Sequence, residues 1–159
     1  METGSNEIEQ LPDGWERMAH SGIALMYSSV IERMLGALIE EALPGMTKSI
    51  RKGLFTAANA PLSSFSARIH MAGALKIVTP EESVKLHAIR AVRNAFAHCE
   101  IGVHFDHPAI AAKVSLLKPE PDQNHFSAYT DNAMSLIDTL TKKKRHYAVA
   151  HALMNPPKT

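Results

Sequence analysis

Leu86, Ile89, Val92 and Phe96 recur at intervals of three and four residues, shortly after the tetrapeptide Thr79-Pro80-Glu81-Glu82. At about 100° per residue these side chains line one edge of a helix, whereas on a strand they would scatter over both faces. The tetrapeptide supplies the start. Threonine can cap free amides, proline takes the first helical position without losing a hydrogen bond, and the two acids complement the positive end of the helix dipole. Together these signals predict a helix over Pro80–His98.

The same period governs the rest of the chain. Asp13-Gly14-Trp15-Glu16 reads as an N-cap with a glutamate three positions on, and Ile23, Met26, Val30, Ile31, Met34, Leu38 and Ala42 follow at helical spacing. Pro44-Gly45 stops the run, so a long helix is expected over Trp15–Leu43, with Ser21-Gly22 as the point where it could break. Lys48, Arg51 and Lys52 belong to a short basic helical turn, followed by a loop through Ala57-Ala58-Asn59-Ala60-Pro61. Ser63 or Ser64 can cap the next helix, Ser63–Lys76, whose apolar face is Leu62, Phe65, Ile69, Ala72 and Leu75. A loop from Ile101 to Pro108 leads to a short helix carrying Ile110, Val114 and Leu117. Lys118-Pro119-Glu120-Pro121-Asp122 is a breaker-rich connection, and Ser127–Met154 is a final helix with Ala133, Leu136, Ile137 and Leu140 facing in. Lys142-Lys143-Lys144-Arg145-His146 crosses that helix and reads as a solvated face that could alternatively touch phosphates.

No strand-period stretch longer than a few residues occurs, and no internal repeat. The expected fold class is therefore all-α, a single bundle at residues 13–155 of about four main helices and one or two short ones. Residues 1–12, polar and aperiodic, are expected to fray, with a C-terminal tail at 156–159 after Asn155-Pro156-Pro157.

A chain of 159 residues can bury a real core as one domain. Hydrophobic residues at 45% and charged residues at 21% are ordinary for a soluble globular protein. A formal net charge of +1 argues against a dedicated, strongly basic nucleic-acid binder, though a local basic patch is compatible with it. Cys99 is the single cysteine, which excludes an intrachain disulfide and a cysteine-only metal cluster. No uninterrupted apolar run reaches the roughly 18 residues of a membrane helix and no secretory pattern opens the chain, so a cytoplasmic protein without membrane contact is expected. None of the nine histidines forms His-x-x-x-His or His-Glu-x-x-His. His104 and His107 bracket Asp106 in a loop where turn roles explain them more simply than a weak metal site. No metal and no cofactor are expected.

Chemistry concentrates in Arg90-Ala91-Val92-Arg93-Asn94-Ala95-Phe96-Ala97-His98. His87, Arg90, Asn94 and His98 fall in a band opposite the apolar edge, and Arg93 lies at the border, where its guanidinium can be drawn against the core. Burying that charge costs several kcal/mol unless a carboxylate or bound anion faces it. Glu32, Glu40 and Glu41 are the carboxylates of the first helix; one of them could meet Arg93, although solvation of all three is the favoured reading. Arg68 could lie near Arg93 or equally form a surface salt bridge. His98 occupies the last helical turn, where the dipole favours a cation, so it reads either as a C-terminal capping side chain or as a functional imidazole.

Arg93-Asn94-Ala95-Phe96-Ala97-His98 resembles the Arg-polar-x-x-x-His motif of the HEPN superfamily, small helical bundles that include many metal-independent ribonucleases. The longer stretch from Leu54 to His98 resembles the mannitol operon repressor family. The resemblance is carried by Leu54-Phe55, by Ala60-Pro61-Leu62-Ser63-Ser64-Phe65-Ser66-Ala67-Arg68-Ile69 and by the Arg-Asn-x-Phe-Ala-His run. With the long first helix, the likeness covers most of the chain.

The superfamily resemblance implies a homodimer that brings two motifs into one cleft. For metal-free RNA cleavage, His98 would be general base or acid, Arg93 would stabilise charge on the phosphorane, and Asn94 would orient the His98 ring or donate to phosphate. Arg90, Arg68 and His87 would support anion binding. An ideal helix places Arg93 and His98 about 140° apart, however, and Arg90 and Asn94 share the His98 stripe more naturally. The repressor resemblance implies instead a regulator of transcription or sugar uptake in which the motif is a structural network. No helix-turn-helix is evident, so such a regulator is expected to act through a protein partner rather than by direct DNA base readout. This regulatory reading is the one favoured, with the ribonuclease as its alternative and RNA as that alternative's partner.

Overall fold

A computed structural model describes residues 13–99 and 103–154. The expectations for residues 1–12, for Ile101-Gly102 and for Asn155 onward lie outside the described residues. Within them the chain is an all-α bundle. α1 (Asp13–Ala42) runs for 30 residues, about 45 Å, without the break considered at Ser21-Gly22. The Ser21 hydroxyl donates to the Met18 carbonyl at 3.0 Å and Ser28 to Leu25 at 3.0 Å, so both serines are satisfied inside the helix. That bond also explains how Ser28 can be fully buried.

α1 lies at the centre of the bundle, packing most extensively on the last helix and also on the third and fourth. Ala24, Ile31, Leu35, Leu38 and Ile39 are fully buried by those neighbours. Met34 also packs on the core, but Met18, Leu25 and Met26 stay exposed on another face. Apolar residues on more than one side give Met18–Ala42 a mean hydropathy of 1.4, long and apolar enough to cross a membrane by length and composition alone. The expectation that no segment would reach that threshold is corrected. It counted uninterrupted apolar runs, and here glycines, alanines and serines join the apolar residues without lowering the mean much.

After α1, Gly45 takes a left-handed conformation (φ 73°) that a side chain would strain, which is how Pro44-Gly45 turns the chain. α2 (Lys48–Arg51), capped by the Thr47 hydroxyl, continues into a single π turn over Lys52–Thr56. The widened turn delivers Phe55 into the core. α3 (Phe65–Ala74) begins at Ser64, whose hydroxyl accepts from the Ala67 amide. α4 (Pro80–His98) has the bounds the sequence predicts and opens with the reciprocal Thr79/Glu82 capping box. α5 (Pro108–Val114) is capped by His107 and ends in a 3-10 turn, Ser115–Leu117. α6 (His125–Met154) starts two residues before the expected Ser127.

Two contacts close the bundle. Tyr129 on α6 is fully buried, and its hydroxyl donates to the Ala24 carbonyl at 2.9 Å. Burial, with a smaller contribution from Tyr27, holds that phenol far above its ordinary pKa, so it remains a neutral donor. Phe105 packs beside it among Phe96, Phe126 and Tyr129, with ring centroids 4.9, 5.5 and 5.1 Å away. At the other end, Lys143 donates to the Glu82 carboxylate at 2.6 Å and to the Ile77 carbonyl at 2.8 Å. The basic run on α6 is thus solvated at Lys144 and Arg145, but Lys143 binds α6 to the start of α4.

Removing apolar volume from α1 should therefore cost far more than removing it from its exposed face. Leu35→Ala is expected to lower the unfolding free energy by about 2–5 kcal/mol, against less than about 0.5 kcal/mol for Met18→Ala, measured by urea denaturation.

Candidate functional site

α4 is a regular α-helix to its last residue, so Arg93 and His98 keep the roughly 140° separation of ideal geometry. Arg93 emerges beside buried Val92 and reaches α1, where its Nη1 lies 3.4 Å from the Glu32 carboxylate. The Glu32 side chain is 16% exposed and that of Arg93 34%, so the pair is shielded on the acidic side and wetted on the basic side. Among the three acids considered on α1, Glu32 is the partner, Glu40 pairs with Arg51 at 2.9 Å, and Glu41 is exposed.

Arg68 meets the same residue from α3. Its Nη1 donates to the Glu32 carbonyl at 3.2 Å, its Nε donates to the Leu62 carbonyl at 2.8 Å, and its guanidinium lies 5.5 Å from the Phe55 ring centre. One glutamate therefore gathers both arginines, with its carboxylate on Arg93 and its main chain on Arg68. The favoured expectation that all three glutamates are solvated fails at Glu32 and Glu40, which are drawn into ion pairs by the packing of neighbouring segments on α1.

The rest of the motif lies apart from this junction. His87 faces His70 of α3 with ring centroids 5.1 Å apart. Burial lowers the His87 pKa, and the nearby Arg90 and His70 lower it further. Arg90 is half-buried, and its Nε is shielded from solvent without a hydrogen-bond partner among the described residues. Asn94 is half-buried and His98 exposed, and neither hydrogen-bonds a described residue through its side chain. The structure thus joins Arg93 with Arg68, joins His87 with Arg90 and His70, and leaves His98 in solvent at the helix end.

The loop histidines have turn roles. His104 Nδ1 accepts from the Asp106 amide at 3.2 Å, and His107 Nδ1 accepts from the Ala109 amide at 3.3 Å. Among the described residues no three His, Cys, Asp or Glu side chains gather as metal ligands would.

Sequence reasoning missed the feature on the far side of Arg68. A cleft of about 620 Å³ opens between α1 and the α2–π turn segment, lined by Arg33, Lys48, Arg51, Lys52 and Arg68 around Gly36 and Phe55. The signal was present as two i, i+3, i+4, i+7 sets, Arg33-Gly36-Ala37-Glu40 and Lys48-Arg51-Lys52-Phe55, each a helix face. No family model, curated protein or solved structure matches the chain.

Two outcomes follow from this geometry. A 3.4 Å separation is long for a charge-assisted hydrogen bond, and one partner is wetted, so a double-mutant cycle of Glu32→Gln and Arg93→Gln should give a coupling of about 1 kcal/mol. A coupling indistinguishable from zero would show that Glu32 merely neighbours Arg93. Because the His87 pKa is lowered on folding, the unfolded chain binds more protons just below the ordinary imidazole value, and stability falls as pH drops through that window. His87→Gln should reduce the loss of Tm between about pH 7 and pH 5, and an unchanged slope would remove His87 as its source.

Proposed function

We propose that the chain is a regulatory binding protein, similar in its bundle to the HEPN superfamily and the mannitol operon repressor family. It acts in the cytoplasm on transcription or sugar uptake, through a protein partner rather than by reading DNA bases. The observation that carries this reading is the Arg93–Glu32 pair. The motif's central guanidinium faces a carboxylate across the α1–α4 packing interface, which suits a structural network better than a phosphorane clamp. The placement of His98, exposed and well round the helix from Arg93, supports the same view. Exposed Met18, Leu25 and Met26 on α1 offer an adaptable apolar surface for a second copy, in keeping with a homodimer.

The alternative, a metal-independent ribonuclease, is favoured by one observation. Arg90, Asn94 and His98 share a stripe of α4, and Arg90 carries an unpartnered, shielded Nε that an anion between two copies could satisfy.

The test separates the two. A strain lacking the chain should show altered transcripts of a sugar-uptake operon, while the purified protein should neither shift that operon's DNA nor cleave RNA in EDTA. His98→Ala should change stability by less than about 0.5 kcal/mol, and Arg93→Ala should cost more because it leaves Glu32 unpaired. RNA cleavage that persists in EDTA and falls about 10²–10⁴-fold in a folded His98→Ala variant would overturn the regulatory reading. Sedimentation that finds only monomer at micromolar concentration would remove the dimer, and with it the composite ribonuclease site.

A further inference from the structure

The cleft beside Arg68 gathers five cations, Arg33, Lys48, Arg51, Lys52 and Arg68, against one lining carboxylate, Glu40. That is a surplus of four positive charges in a chain whose formal net charge is +1. Exposed cations on one helix are ordinarily a solvated face, but three observations distinguish this group. First, the cations surround a concavity, supplied from two facing helical segments and from α3. Second, these cations crowd together largely uncompensated. Lys142, Lys143 and Arg93 are matched to Asp138, Glu82 and Glu32, and Lys144 and Arg145, unpaired among the described residues, lie on an open helix face rather than around a concavity. In the cleft only Arg51 has such a partner, and Arg33, Lys48, Lys52 and Arg68 have no carboxylate within ion-pair distance among the described residues.

The third observation is Arg68 itself. Two of its five N–H groups are fixed by the Leu62 and Glu32 carbonyls, and its guanidinium lies over Phe55. Its orientation is set by neutral groups, so the positive charge is held in place without being cancelled. Gly36 forms the wall beside it. A Cβ there would stand 3.4 Å from Arg68 Nη1 and 3.7 Å from Phe55 Cε1, in van der Waals contact with the guanidinium.

We propose that this cleft binds a small organic phosphate carrying two or more negative charges. A phosphoryl group would meet the free edge of the Arg68 fork, Lys48, Lys52 and Arg33 would supply the second charge contact, and the organic part would lie along Ala37 and the aliphatic stems of the lysines. The volume, about 620 Å³, is that of a small-molecule site. A single ringed concavity suits a compact ligand, whereas a nucleic-acid backbone needs a track of cations extending along the surface. The proposal does not depend on the function proposed above.

The experiment is isothermal titration of the full chain with inorganic pyrophosphate and with adenosine diphosphate, at about 0.15 M salt so that diffuse attraction is screened. Both probes should bind saturably with a Kd below about 1 mM. The double variant Lys48→Gln, Lys52→Gln removes two exposed rim charges and should weaken both probes by about tenfold or more with Tm unchanged. The control double variant Lys144→Gln, Arg145→Gln removes the same charge from α6 and should leave binding as it was. Absence of saturable binding up to about 10 mM would overturn the proposal. So would equal weakening by the two double variants, or displacement of both probes by an RNA oligonucleotide that binds far more tightly.

Discussion

Ala24, Ile31, Leu35, Leu38 and Ile39 are out of water completely in the bundle that α3, α4 and α6 form around α1. A fully buried leucine or isoleucine contributes about 1.5–3 kcal/mol, so this burial outweighs any single polar contact in the structure. It also sets the distances at which the polar groups meet. Glu32 projects from α1 between the contacts with α3 and α4, and it is the docking of those two helices that brings Arg68 and Arg93 to it from different directions. The polar junction is therefore a consequence of the apolar one. It sets the orientation of the helices more than it drives their association.

Most of the helical plan was legible in the sequence because its signals were local. Thr79, Pro80 and Glu82 act within one turn of chain, and the capping box they encode forms as written. Ser64 and the α3 apolar set likewise needed no tertiary information. What was not legible depended on packing. The π turn at Lys52–Thr56 has no local signature, since an extra residue in a turn is tolerated when it brings Phe55 into the core. The start of α6 at His125 had a local signal that the expected Ser127 start passed over, because Asn124 accepts from the Ser127 amide at 2.8 Å as an N-cap. The His125 Nδ1 contact with Asp106 at 2.8 Å, nineteen residues away, is the part no window of sequence reveals.

The central motif shows the same division. Its helix, its apolar edge and the need of Arg93 for a carboxylate or a bound anion were readable from spacing and from the cost of burying charge. Which of three glutamates would answer was not, because that depends on the height along α1 at which α4 crosses it and on what lies opposite each carboxylate. Nor could spacing show that Arg68 would share the same residue through its carbonyl. Main-chain acceptors carry no sequence identity, so a contact of this kind is invisible until the helices are placed.

A formal net charge of +1 conceals how the charges are arranged. Asp138, Glu82 and Glu32 each neutralise a cation at a helix surface or helix junction, whereas Glu40 is the one carboxylate that lines the α1–π turn cleft. Had Glu32 turned its carboxylate toward Arg68 rather than Arg93, the cleft would contain a compensated guanidinium and a smaller surplus. The pairing on one side of Glu32 thus determines the electrostatics on the other. Because Arg93 takes the carboxylate and Arg68 only the carbonyl, Arg68 keeps its full charge and its remaining N–H donors. The motif on α4 and the basic cleft are two results of one allocation, made at a single residue of the central helix.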